Sequence, residues 1–384
     1  MGLLNRQEKT LVNVGKASSW LSLSAVLVAG SIWAGGALGV GGEKAAAAPA
    51  TSGDAVALLE ADNPVKPLPK IPLGVGRTFD ELETPPTPET VRLGRWLFFD
   101  KRLSLDNSVS CATCHRPEHG FSEPTPVSSG IHGKKGNRKA PPVLNLAWTI
   151  FPTFFWDGRA STLEEQALGP VANPVEMGNT AEGMISTLSK ITSYAPYFKQ
   201  AFGDEKITKD RVARAIADYE RTLLSGNSPW DRWQAGDEKA VSDQVKLGHE
   251  LFFFGKAACN QCHLGTNFTE NQFHNLGVGW DPATKTFKDE GRYGVTKKDE
   301  DRGAFKTPTL REVASRAPYM HDGSQKTLKE VVDYYNKGGE TNPHLSSKIK
   351  PLNLTSKEVD ALVAFMEALS GEGYQDPGPK HFPQ

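Results

Sequence analysis

At 384 residues the chain is long enough for two domains with sizeable cores. Its 38% hydrophobic and 23% charged content is ordinary for a globular protein. The formal net charge of −1, with no basic stripe or block of like charge, excludes nucleic acid as a partner held by bulk electrostatics. The N-terminus carries Arg6, Lys9 and Lys16, then an uncharged stretch from Ala17 to Gly42 with WLSLSAVLVAGSIW at its heart, then AAAAPA at 45–50. A basic n-region, an apolar h-region and an Ala-x-Ala-like site describe a secretory signal over residues 1–48. The same stretch is long enough to span a bilayer, so an uncleaved membrane anchor stays open; on either reading the body is exported.

Residues 49–90, rich in Pro and Ala, read as an extended lead-in. LGRWLFFD (93–100) then reads as a helix ending shortly before CATCH (111–115). The unit repeats: LGHELFFFGK (247–256) precedes CNQCH (259–263). Apolar residues recur at three- and four-residue spacing in 209–224 and 355–369, which predicts helices, and alternating runs are scarce. The segment 225–242 holds turn residues and charges and is the candidate domain boundary; the Gly- and Pro-rich end, 371–384, reads as a loose wrap. The expected fold is mainly α, with two cytochrome c-like haem domains (49–235 and 236–384) and long irregular loops.

All four cysteines lie in the two Cys-x-x-Cys-His pentapeptides. An exported protein favours disulfides, and a paired zinc site is a further rival. Neither needs a histidine after the second cysteine, and here it occurs twice. Cys-x-x-Cys-His attaches c-type haem through two thioethers while the adjacent histidine reaches the iron. The sequence therefore points to two covalent haems, on Cys111, Cys114 and His115, and on Cys259, Cys262 and His263. His132, in the Gly- and Lys-rich stretch SSGIHGKKGNRKAPP, is either a solvated loop histidine or a second ligand to the first iron.

The segment FFWDGRASTLEEQALGPVANPVEMGN (154–179), with KTPTLR (306–311) and PYMHDG (318–323), resembles the bacterial dihaem cytochrome c peroxidase and MauG family over residues 85–370. The resemblance implies that Trp156 lies between two haems, and that Gln166 and Glu176, with Pro170 nearby, face the peroxide-binding side of the first. A carboxylate there can act as general acid–base and an amide can hold developing charge. Without the resemblance, Trp156 reads as core and Glu176 as a surface or helix-start carboxylate.

In TLKEVVDYYNKGG (327–339), Thr327 and Glu330 form a capping-box pattern, and Leu328, Val331, Val332 and Tyr335 share a helix face. The resemblance puts the distal ligand of the second haem here. It is methionine in the peroxidases and tyrosine in MauG-like proteins, hence Tyr335, with Met320 as the alternative. A calcium ion is also usual, but its asparagine position reads Lys139, which puts calcium in doubt. The implied activity is periplasmic reduction of hydrogen peroxide with electrons from a small cytochrome c or copper protein. Oxidation of Tyr or Trp side chains on a partner protein, and a non-enzymatic dihaem carrier, are the alternatives. A homodimer is common in such proteins.

Overall fold

The computed structural model describes residues 52–149 and 151–384, and residues 50–384 form one compact unit. The export segment expected at 1–48 lies outside the described residues. Among the described residues, no helix is long and apolar enough to cross a membrane. Twelve helices run in order among the described residues: α1 (Ser52–Asp62), α2 (Pro88–Phe99), α3 (Cys111–Cys114), α4 (Leu163–Ala172), α5 (Ala181–Lys190), α6 (Ala195–Phe202), α7 (Lys209–Arg221), α8 (Pro229–Gln234), α9 (Asp243–Phe253), α10 (Tyr293–Thr296), α11 (Leu328–Asn336) and α12 (Ser356–Glu367). Strands are few: β1 (Phe273–Asn275) pairs antiparallel with β4 (Ala304–Lys306), placing Phe273 opposite Lys306, and β2 (Trp280–Asp281) pairs with β3 (Thr286–Phe287).

The sequence repeat is a structural repeat. α2 starts where Thr87 Oγ1 accepts the amide of Thr90 and Pro88 opens the first turn. α9 starts where Ser242 accepts the amide of Val245. Each crosses a later helix at a glycine. A Cβ on Gly94 would lie 1.8 Å from the carbonyl oxygen of Ala215 in α7, and one on Gly248 would lie 2.0 Å from that of Ala361 in α12. The first pair buries Leu93, Trp96, Leu97 and Phe98 against Val212, Ile216 and Tyr219. The second buries Val245, Leu251 and Phe252 against Ala361, Leu362 and Phe365. In both, the first helix ends just upstream of its Cys-x-x-Cys-His turn.

Three expectations are corrected. The lead-in is not wholly extended: AVALLEAD is a run of good helix formers, and α1 docks through buried Leu59, with Asn63 Nδ2 donating to Arg92 O at 3.0 Å. The segment 225–242 contains α8, whose Asp231 forms a fully buried pair with Arg311 at 2.5 and 2.9 Å. Its charges are thus partly structural. Nor is the C-terminal stretch loose. Asp376 accepts two bonds from Arg95 at 2.7 Å, Trp96 Nε1 donates to His381 O at 3.0 Å, and Tyr374 joins the first core.

Gly94→Ala and Gly248→Ala each place a methyl against a backbone carbonyl that cannot yield alone. Each is expected to cost about 1–3 kcal/mol, read as a lower denaturant midpoint; unchanged midpoints would show that the crossings tolerate separation.

Candidate haem-binding and active site

The two pentapeptides adopt matching local structure. The amide of His115 donates to Cys111 O and that of His263 to Cys259 O, each at 2.9 Å. His115 Nδ1 then donates to Phe121 O at 3.1 Å, and His263 Nδ1 to Phe268 O at 3.0 Å. With Nδ1 donating, Nε2 of each ring carries the lone pair, the arrangement a metal-ligating imidazole needs. Burial pushes His115 below the ordinary histidine range and His263 down to about 4, so both rings are neutral ligands near pH 7. All four thiols are free rather than paired as disulfides. Each motif borders a cavity, His115 in the first and Cys259, Cys262 and His263 in the second. Free paired thiols with an adjacent fixed imidazole, opening on apolar space, fit a covalently attached haem.

The first cavity also takes Gln166, Phe154, Phe155, Leu163 and Trp156 in its wall. Gln166 stands on α4, where Thr162 caps the first turn. Pro170, inside the same helix, cannot donate to the Gln166 carbonyl. After α4 the chain turns so that Asn173 Nδ2 donates to Glu176 Oε1 at 2.8 Å. Burial pushes Glu176 above the usual carboxyl range, against the opposing influence of Arg159 and Asn173. Its charge also acts on the Cys114 thiol, which places it beside the first motif. The 130–133 loop packs directly on this turn: Ile131 N donates to Glu176 O at 2.8 Å, and a Cβ on Gly130 would lie 1.9 Å from Val175 O. His132 is not brought into the cavity. With φ at +54°, its side chain is 61% exposed and lies 3.4 Å from Asp106. The reading as a solvated loop histidine describes this conformation; Ile131, not His132, is the residue the loop buries.

Trp156 lines both cavities. Its Nε1 donates to Lys139 O at 2.8 Å, and its own carbonyl accepts the Lys306 amide at 2.8 Å. The indole is therefore strapped from both sides by backbone rather than by packing alone. Asp157 beside it binds Arg138 at 2.6 Å and Arg159 at 3.0 Å, and Arg138 reaches on to Asp289 at 2.7 Å.

In the second cavity, Tyr335 and Met320 both contribute to the wall, with Val331, Val332 and Leu352. Thr327 caps α11 by accepting the Glu330 amide at 3.1 Å, while the Glu330 carboxylate takes the Lys326 amide, so the box closes one residue early. Tyr334 points away, its hydroxyl donating to Leu276 O at 2.9 Å. Burial, with the charges of Cys262 and Cys259 next, holds the Tyr335 phenol well above its ordinary value.

Several groups escaped sequence reading. Glu123 is buried, accepting Ser128 Oγ at 2.5 Å and the Ala140 amide at 2.6 Å. Lys139 turns its ammonium onto the carbonyl oxygens of Glu123 and Thr125. Burial, then the charge of Arg316, leaves it at about 8 despite Glu123. Glu220 on α7 is buried beside Cys111, and its Oε2 has no partner among the described residues. Burial, opposed by Arg221 and reinforced by Glu164, pushes it to about 8. Its place in a helical row gave no signal of this. The folded chain thus keeps a proton that the unfolded chain loses above the ordinary carboxyl value, so stability falls as pH rises toward about 8. Glu220→Gln is expected to remove that slope, gaining on the order of a few kcal/mol at about pH 8 and almost nothing at about pH 4.5. Denaturation at the two pH values checks this, and parallel pH profiles would contradict it.

Comparison with known proteins agrees with this geometry. Residues 88–239 match the family model for di-haem cytochrome c peroxidase, and residues 245–370 match that for cytochrome c. The chain is 44% identical over 291 residues to the methylamine utilization protein MauG of Methylorubrum extorquens, covering 75% of this chain and 80% of that one. It is 34% identical over 315 residues to the cytochrome c551 peroxidase of Nitrosomonas europaea, covering 82% and 86%. A crystal structure of a MauG-like protein associated with microbial copper homeostasis superposes with a TM-score of 0.69 at 32% identity, covering 82% of this chain and 97% of that one. The protein belongs to the di-haem cytochrome c peroxidase and MauG family of oxidoreductases, whose members carry two c-type haems.

Proposed function

We propose that this is an exported, periplasmic dihaem enzyme that reduces hydrogen peroxide to water at its first haem, with electrons from a small cytochrome c or copper protein. The observation that carries the reading is Trp156, shared by the walls of both cavities, with His115 and Gln166 in the first and His263 in the second. When bound, the haems supply two iron centres, held by His115 and His263, through which the electrons pass. The protein's own groups do the rest. Glu176, which burial raises above the usual carboxyl range, takes a proton from one peroxide oxygen in its ionised form and delivers it to the other. The Gln166 amide donates a hydrogen bond where charge develops. Asn173 keeps the Glu176 carboxylate in one orientation. Two protons and two electrons convert one peroxide to two waters. His132, turned out to Asp106, supports a first site open to peroxide in this conformation. A pure electron carrier has no use for Gln166 and Glu176 beside one of its two sites. We include no calcium: Lys139 already sets a positive charge against the carbonyl oxygens of Glu123 and Thr125.

A second reading is favoured by one observation, the presence of Tyr335 in the second cavity. A phenolate ligand stabilises higher oxidation states, which suits an enzyme that sends oxidising equivalents outward to Tyr or Trp side chains of a partner protein. Met320, in the same wall, is the alternative ligand.

Glu176→Gln is expected to slow the reaction with peroxide by about 10²-fold or more in stopped-flow absorbance, with both haem spectra intact. In the parent, the rate should fall with decreasing pH through a value above the ordinary carboxyl range, because only the ionised carboxylate accepts the first proton; an unchanged rate in the variant would remove Glu176 from this role. Tyr335→Met is expected to raise the potential of the second haem, and a spectrum and potential like the parent's would assign the ligand to Met320. Fast peroxide turnover with reduced cytochrome c supports the first reading, and slow turnover with a long-lived oxidised protein supports the second.

A further inference from the structure

The walls of the two cavities contain Lys139, Lys306, Arg316, Lys348 and Lys350, and neither wall contains an aspartate or glutamate. Four of these cations are accounted for. Lys139 faces the carbonyl oxygens of Glu123 and Thr125, with the Glu123 carboxylate charge acting on it. Arg316 donates to Glu312 O at 3.1 Å and Thr309 O at 2.7 Å, with the Glu312 charge nearby. Lys348 pairs with Glu270 at 3.2 Å, and Lys350 is exposed to solvent.

Lys306 differs. It is the last residue of β4, its side chain lines both cavities, and its backbone amide holds Trp156. Its ammonium donates to Thr153 O at 3.0 Å and Asn271 Oδ1 at 3.3 Å, both neutral acceptors. Among the described residues no carboxylate pairs with it. The carboxylate that reaches the neighbouring residue, Glu270 (which accepts from Thr307 Oγ1), is already engaged by His274 at 2.7 Å and by Lys348. Burial accordingly lowers Lys306 to about 8, with no acidic group opposing it. Desolvating an ammonium without an anion is costly, so a half-buried cation with neutral acceptors alone in this position signals an anion to come.

We propose that Lys306 is the counter-ion of a porphyrin propionate, pairing its ammonium with the carboxylate where the two haem cavities meet. The proposal rests on the two-haem reading. Each c-type haem brings two carboxylates into walls that supply only positive charge, and Lys306, half-buried, is the wall cation left without a counter-charge among the described residues. The residue is thus a positioning residue: it fixes the porphyrin edge beside Trp156 and sets the charge felt by the iron. A positive charge near iron favours the ferrous state, so its loss favours the ferric state.

The test compares the haem-loaded full-length protein with Lys306→Met, Lys306→Gln and Lys306→Arg. Two haems per chain in the parent, by pyridine haemochrome and intact mass, uphold the reading beneath the proposal; fewer would overturn that reading itself. Given two haems, Lys306→Met should shift the ferric/ferrous equilibrium of at least one haem about tenfold toward ferric, a potential lower by about 59 mV for a one-electron couple. The propionate bending band in resonance Raman should move with it. Lys306→Arg should restore both signals. Lys306→Gln, which keeps hydrogen-bond donors without charge, should lower the potential as methionine does and serves if the methionine variant misfolds. Unchanged potentials and propionate bands in the neutral variants would overturn the assignment. So would a potential shift that depends on added small anions while the propionate bands stay fixed, since Lys306 would then hold a free anion.

Discussion

The contact of a glycine with a backbone carbonyl sets the geometry on which both haem sites depend. Gly94 against Ala215 and Gly248 against Ala361 let α2 meet α7, and α9 meet α12, at a distance no side chain would allow. Because each first helix ends just before its Cys-x-x-Cys-His turn, the crossing determines where that turn emerges from the core. The aromatic residues that follow each glycine, Phe98 and Phe252, then pack beneath it with no exposed surface to speak of. One short pattern, a Leu-Gly pair followed by an aromatic run, thereby builds the same helix crossing twice.

Between the pockets, polarity is concentrated on very few groups. Trp156 is fixed by two backbone hydrogen bonds, one to Lys139 and one from Lys306. The same two residues carry ammonium groups, buried at Lys139 and half-buried at Lys306, so the residue joining the cavities and the charges around it belong to one piece of structure. Moving the indole would disturb both lysines. That coupling commits the protein to holding positive charge in a largely apolar setting.

The first and second sites are alike in attachment and unlike in what surrounds them. Gln166 lines the first cavity, and Glu176, held by Asn173, lies close enough to the first motif for its charge to act on Cys114. Around the second lie Tyr335, Met320 and a largely aliphatic wall. Under the proposed function, this difference corresponds to a division of labour between chemistry and electron supply.

Much of this was legible in the amino-acid order, because covalent haem attachment and helix formation are local. Two Cys-x-x-Cys-His motifs announce the cofactor in five residues each, and three- and four-residue apolar spacing marks α7 and α12. The family motifs also pointed to Trp156 and Gln166, which the structure places in the first cavity's wall. What the sequence could not show depends on residues distant in the chain. Asp231 reads as one charge in a polar segment until Arg311 arrives to bury it. The Gly- and Pro-rich end reads as loose until Arg95 and Trp96 bind it. Glu220 and Lys306 look like ordinary members of a helix and a strand, and only tertiary packing decides that each loses its water. Desolvation is a property of the assembled environment, so charges that matter most to the site are those whose meaning the linear order leaves open.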